Sequence, residues 1–99
     1  MLRNQVTLVG YLGKDANITR FENGSMVARF SIAVNQQSAE NPSWYSLFAW
    51  GNIADFVNSN CKKGSKLAIT GKLVNRTIVT EAGTPKKITE VEVRQVMKL

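Results

Sequence analysis

Four aromatic side chains lie in one segment of seven residues, WYSLFAW at positions 44–50. If the segment is a β-strand, Trp44, Phe48 and Trp50 lie on one face, because successive side chains of a strand point to opposite sides. Two tryptophans and a phenylalanine would overfill the interior of a small domain, so we expect them to face outward over roughly 20 Å of strand. A row of exposed rings in a basic protein is suited to stacking on unpaired nucleobases.

The chain also has the positive charge that such a surface needs. It contains 13 Lys and Arg residues against 7 Asp and Glu residues, which gives a formal net charge of +6. Cations pair with phosphates and release counterions, and a duplex hides the faces of its bases, so the expected ligand is a single strand. The candidate phosphate-binding residues are Arg76, Lys72, Lys62, Lys63, Arg29 and Arg3.

Each of these features also has a simpler explanation. The three rings could form a subunit interface or pack under a loop. Lys62 and Lys63 could do no more than stabilise the C-terminus of a helix. A net charge of +6 by itself describes a merely basic protein as well as a nucleic-acid-binding one.

The composition argues against catalysis. The chain has no histidine, which excludes Ser-His and Cys-His nucleophiles and histidine metal ligands. Its acidic residues are scattered, and it has neither a P-loop nor a dinucleotide fingerprint, so we expect no catalytic residue, metal or cofactor. The single cysteine, Cys61, cannot form an intrachain disulfide, which fits a cytoplasmic setting, and no apolar run is long enough to span a membrane.

Five segments with alternating apolar and polar residues are predicted to be strands. They cover residues 5–12, 26–34, 44–50, 66–76 and 87–97. Between the third and the fourth, Asn52 and Asp55 form a candidate capping box, and Ile53, Phe56, Val57 and Asn60 have the spacing of one helix face. Gly64 is the residue expected just past the end of this helix.

This order predicts one all-β domain over residues 1–99. Five strands with a short helix between strands 3 and 4 are the arrangement of an OB-fold, a five-stranded Greek-key β-barrel. Gly10 and Gly71 lie within predicted strands, where a strand must coil for the barrel to close. An open five-stranded sheet is the alternative.

Several segments, in this order and spacing, resemble the bacterial single-stranded DNA-binding protein family (SSB). They are VGYLGKD at 9–15, ENGSMVARFSIAVN at 22–35, SWYSLFAWGNIADF at 43–56, KKGSKLAITGKLVNR at 62–76, TEVEV at 89–93 and the closing MKL. The resemblance implies an OB-fold homotetramer in the cytoplasm, associated with the nucleoid. It also implies sequence-independent binding of single-stranded DNA in replication, recombination and repair. It places Trp44 and Trp50 at stacking positions, and Arg76, Lys62 and Lys63 on the DNA path.

The chain departs from the family pattern in four places. The loop NQQSAENPS lacks the tryptophan that the family often has after the second strand, and Ile78 replaces another ring, so we expect a smaller stacking set. Tyr45 replaces a histidine linked to tetramer contacts, so a dimer is an alternative. The sequence stops at Leu99 without the acidic C-terminal tail of typical members, so we do not expect tail-mediated recruitment of other proteins.

Three other functions fit the same fold. Primosomal replication protein N resembles this plan and is a short, dimeric OB-fold adaptor in replication restart. An RNA-binding OB module is the second alternative, because nothing in the sequence is specific for or against a 2′-hydroxyl. A nuclease, the third, would need clustered acidic residues that the sequence does not show.

Overall fold

The computed structural model of the protein describes residues 3–35 and 40–99, and part of the predicted loop at 35–43 lies outside these ranges. The described elements are β1 (Val6–Leu12), β2 (Asn17–Arg20), β3 (Met26–Val34), β4 (Ser43–Trp50), α1 (Gly51–Asn60), β5 (Lys66–Val79) and β6 (Pro85–Lys98). All five predicted strands are present, and β2 is a sixth.

Five of the strands pair in a closed ring. Strand β1 pairs with β5, β5 with β6, β6 with β4, β4 with β3, and β3 with the end of β1. The β4–β6 pair is parallel and the others are antiparallel. With α1 between the third and fourth strands of the ring, this is the OB-fold, so the predicted fold is confirmed and the open sheet is wrong.

The interior of the ring is filled by the alternate side chains that the period-two pattern predicts. Its buried residues include Leu12, Phe30, Ile32, Leu47, Ala49, Leu67, Ile69, Val91 and Val93. Helix α1 adds Ala54 and Val57 to the same cluster. Because the inward positions of β4 are occupied by Leu47 and Ala49, the rings of Trp44, Phe48 and Trp50 are directed outward.

Two glycines lie where strands approach too closely for any side chain. At Gly10, just before the residues where β1 pairs with β3 as well as with β5, an added Cβ would collide with the carbonyl oxygen of Ala33. At Gly71, beside a register shift between β5 and β6, it would collide with the carbonyl oxygen of Glu92. The prediction that these glycines allow the barrel to close is confirmed.

The predicted ends of the helix are wrong. Helix α1 begins at Gly51, and no side-chain cap bond forms at Trp50, its N-cap, within the described chain. Gly51 has a φ of +58°, so β4 turns directly into the helix and leaves no room for a cap at Asn52. Cys61 is the C-cap, and Gly64 instead belongs to the turn in which Ser65 N–H donates to Lys62 C=O.

Three apolar side chains differ in exposure from what the periodic patterns predict. These patterns place Phe56 on the inner face of the helix, Leu73 on the inner face of its strand and Val27 on the outward face of its strand. Phe56 is 37% exposed, because the helix turns Ala54 and Val57 toward the core. Leu73 is 48% exposed, in the half of β5 beyond the register shift, where most residues are exposed. Val27 lies on the outward face as predicted, opposite Trp50, but it is buried between its cross-strand neighbours Thr19 and Trp50.

Candidate nucleic-acid interface

The outward face of β4 presents the aromatic row. Trp44 is 60% exposed and Trp50 is 46% exposed, whereas Phe48 is half-buried between them. Alternation with the buried Leu47 and Ala49 fixes these directions. The predicted outward orientation of the three rings is therefore confirmed.

Trp50 is stacked against a ring that the sequence analysis missed. Phe21 lies in the turn between β2 and β3, is 45% exposed, and its ring centroid is 6.0 Å from that of Trp50 with 30° between the planes. Offset stacking of this kind adds attraction beyond the buried area. The only signal in the sequence was an apolar ring within a polar turn, and the short polar strand β2 that leads to it was not predicted.

The Trp44 ring lies directly against the backbone of Gly13. A Cβ at residue 13 would be 2.5 Å from Cζ3 and 2.8 Å from Cη2 of the indole. These distances are well inside van der Waals contact, so only glycine leaves the ring where it is. Gly13 thus fixes how the most exposed ring of the row is oriented.

We expect Gly13→Ala to displace the Trp44 ring while the fold is retained. The ring is the exposed end of a side chain that can turn, so the free energy of unfolding should change by less than about 1 kcal/mol. In a Trp50→Phe background, the emission maximum and acrylamide quenching of Trp44 should change. Lys14→Ala is the matched control in the same segment, and an unchanged Trp44 spectrum in Gly13→Ala would contradict the contact.

Ion pairs join the predicted cations to acids on β6. The Arg29 guanidinium lies 5.4 Å above the centroid of the Phe48 ring, and its Nη1 is 3.2 Å from Oε2 of Glu90. Nε of Arg76 is 2.5 Å from the other carboxylate oxygen of Glu90.

A second and looser set surrounds Glu92. Its carboxylate is 3.9 Å from the Lys72 ammonium and 3.8 Å from the Arg94 guanidinium. Sequence analysis missed the pairs that link β6 to other strands, because they depend on how the strands are aligned. The alignment sets Lys72, Glu92 and Phe48 in one row across the sheet.

The remaining predicted cations lie in loops. Lys62 and Lys63 are exposed in the turn after α1, and the backbone N–H of Lys63 donates to Asp15 Oδ1 at 2.8 Å. This bond ties the turn to the segment that carries Gly13, beside Trp44. Arg3 is exposed just before β1, next to Asn4, whose side chain bonds to the backbone of Leu73 on β5.

A groove of about 430 Å³ opens beside Trp44. Its lining includes Trp44, Ser46, Arg29, Glu90, Lys14 and Asp15. Lys14 adds a cation that the sequence analysis did not select. The groove therefore combines an aromatic wall with charged groups, as a site for one stacked nucleotide would.

Other kinds of site are not apparent in the part of the chain that the structure describes. Residues 3–35 and 40–99 bring no three acidic or cysteine side chains together in a group that could hold a metal ion. No helix in these ranges is long and apolar enough to cross a membrane. Burial raises the pKa of the Cys61 thiol, an effect that Lys98 only partly offsets, so the thiol stays protonated and weakly nucleophilic.

Comparison with known proteins gives a consistent result. The model of the "Single-strand binding protein family" matches residues 3–99. The chain is 38% identical over 73 residues to single-stranded DNA-binding protein 1 of Synechocystis sp., covering 71% of this chain and 60% of that protein. It is 31% identical over 97 residues to the single-stranded DNA-binding protein of Bacteroides thetaiotaomicron, covering 89% of this chain and 60% of that one.

A solved structure has the same fold. The Plasmodium falciparum SSB, in a complex with ssDNA, aligns with a TM-score of 0.86 and 25% identity, covering all of this chain and 97% of the other. The present chain spans about 60% of the length of the curated relatives described above.

Proposed function

The chain belongs to the single-strand binding protein family, and on that premise we propose that it binds single-stranded DNA without sequence preference. The observation that carries the proposal is the row of outward rings on β4, in which Trp44 and Trp50 are exposed although each is large and apolar. Exposed apolar surface of this extent on a small domain indicates a binding site. Bases stack on such rings whatever their identity, because every base has a π-face.

We assign the stacking to Trp44, Trp50 and Phe48 in different ways. Trp44 and Trp50 have exposed faces, and each stacked base would contribute about 1–3 kcal/mol. Phe48 is half-buried and has the Arg29 guanidinium above its ring, so we expect it to support that cation as well as to contact a base. Phe21 extends the row beyond Trp50.

The phosphates would follow the cations that surround the row. Arg76 and Lys72 on β5 and Arg29 on β3 flank the rings, and Lys62 and Lys63 lie beside the Trp44 end through the bond to Asp15. Arg3 lies just before β1, which is not a neighbour of β4 in the sheet. It would contact a phosphate only if the bound DNA continues past β5. Cations distributed in this way would attract the phosphates along the whole length of the bound DNA.

We further propose that residues 1–99 act as one domain that assembles into a homotetramer. An apolar patch with Val9, Tyr11 and Met97, each at least 44% exposed, supports self-association. Among the described strands, β3 pairs only with the last two residues of β1, which leaves most of that edge of β1 available. Light scattering would give the number of chains in the assembly. Two chains would favour the alternative, a dimeric adaptor like primosomal replication protein N.

The wider role that we propose is the one implied by the family. The protein would coat and protect single strands during replication, recombination and repair, at the nucleoid in the cytoplasm, and would have no catalytic step.

Fluorescence anisotropy with labelled oligo-dT tests the proposal. We expect tight binding that a matched duplex competes for poorly. The logarithm of the affinity should fall linearly with the logarithm of the salt concentration, with a slope of about −0.7 for each phosphate bound. A single-stranded RNA competitor tests the RNA-binding alternative. Equal competition by duplex and single strand would contradict the proposal, because stacking requires unpaired bases.

A further inference from the structure

Glu90 is a buried carboxylate on the face that carries several of the candidate phosphate-binding cations. It is 7% exposed, and its side chain lies on the outward face of β6, the face that carries Phe48 on β4. Its two oxygens are shared between two strands, with Oε2 accepting from Arg29 on β3 and Oε1 from Arg76 on β5. One carboxylate thus joins cations that no direct pairing of their strands brings together.

The two arginines keep free donors after pairing. Glu90 accepts hydrogen bonds from Nη1 of Arg29 and from Nε of Arg76. Because a guanidinium has five N–H donors, each arginine has others with which to bind a phosphate. Both side chains remain exposed, at 43% for Arg29 and 45% for Arg76. Since both contact the same small carboxylate, they lie close enough for one phosphate to bind both.

The charge balance has a second consequence. A buried carboxylate is stable only with compensating positive charge, so Glu90 requires the arginines to stay in place. The unit carries a net charge of +1, with two guanidiniums and one carboxylate. It therefore attracts an anion, although less strongly than two free arginines would.

We propose that Glu90 is a positioning residue that holds Arg29 and Arg76 as one preorganised site for a backbone phosphate of the bound strand. The inference rests on the proposed function. Fixed guanidiniums lose less side-chain entropy on binding than freely moving ones, so the site gains affinity through geometry while Glu90 reduces its charge. The groove next to Trp44 is lined by both Glu90 and Arg29, which places this phosphate site beside a stacked base.

The test compares Glu90→Gln with Glu92→Gln across a range of salt concentrations. Each change removes one negative charge from the same strand and face, but Glu92 is more exposed and its pairs are 3.8 Å or longer. We expect both variants to show a slope in salt steeper by about 0.7, as one further phosphate contact would give. At high salt, where charge attraction is screened, Glu90→Gln should bind oligo-dT about tenfold more weakly than Glu92→Gln, because the two guanidiniums then keep their phosphate contact but must be ordered on binding.

Glu90→Asp isolates the positioning effect. It keeps the charge but is one methylene shorter, so it cannot reach both guanidiniums in their present positions. At high salt we expect Glu90→Asp to bind oligo-dT about tenfold more weakly than the unmodified protein. The slope of its affinity against salt should be unchanged. Thermal unfolding checks that each variant folds. If Glu90→Gln does not fold, the affinity of Glu90→Asp tests the positioning role of Glu90.

Three results would overturn the inference. Identical affinities of Glu90→Gln and Glu92→Gln at every salt concentration would show that Glu90 contributes charge alone. Tighter binding by Glu90→Gln than by Glu92→Gln at high salt would show that Glu90 competes with the phosphate. Absence of binding by the unmodified protein would refute the proposed function, and this inference with it, whereas the first two results leave that function intact.

Discussion

Replacing Trp44 and Trp50 together with alanine is expected to weaken oligo-dT binding by about 2–6 kcal/mol, from two stacked bases at about 1–3 kcal/mol each. The rings are 60% and 46% exposed, so their removal takes little from the core. The single variants should each lose part of this energy. Because no phosphate contact is removed, the slope of affinity against salt should stay the same. Fluorescence anisotropy at several salt concentrations measures both quantities.

Phe56→Ala is the matched control for the tryptophan variants. Phe56 is also an aromatic side chain and is 37% exposed, but it belongs to helix α1 and not to the outward face of β4. Its replacement should leave the affinity for oligo-dT unchanged. If the double tryptophan variant binds within twofold of the unmodified protein, the aromatic row is not a stacking surface.

Gly71→Ala is expected to destabilise the fold by about 3 kcal/mol or more, at the upper end of the range for overpacking. A Cβ at this position meets the carbonyl oxygen of Glu92 and lies 2.9 Å from Cγ1 of Val91. The backbone of β6 cannot withdraw without breaking the pairing that closes the barrel. Urea unfolding at one fixed protein concentration measures the change, since association would shift the midpoint.

Gly83→Ala distinguishes lack of space from backbone strain. Gly83 has a φ of +81° in the hairpin turn between β5 and β6, with no atom within 4 Å of an added Cβ. Its replacement should cost only the strain of a left-handed residue, about 1–2 kcal/mol. Equal losses for Gly71→Ala and Gly83→Ala would contradict the close approach at Gly71.

Much of the fold was predictable because the residues repeat with the period of a strand. Alternation along β4 is enough to predict that the two tryptophans and Phe48 lie outside and that Leu47 and Ala49 lie inside. Glycines inside the strands marked where the barrel closes. Strand β2 could not be predicted in this way, because its four residues, NITR, contain a single apolar side chain and take their structure from the edge of β3.

The details of the site were less predictable, because they depend on distances between strands. The bond from Arg76 to Glu90 is a consequence of the register of β5 and β6, which no local pattern specifies. The stacking of Phe21 on Trp50 needs a turn whose position follows from β2. The capping box at Asn52 failed for the opposite reason. A favourable local pattern was overridden when Gly51 turned the chain directly from β4 into the helix.

Quenching of intrinsic tryptophan fluorescence by oligo-dT would show whether bases stack on the outward face of β4. The chain has two tryptophans, Trp44 and Trp50, so all tryptophan emission comes from the proposed stacking surface. We expect strong, saturable quenching by the single strand and little by a matched duplex. Binding of oligo-dT to saturation with unchanged emission would contradict this expectation, because the strand would then lie elsewhere on the protein.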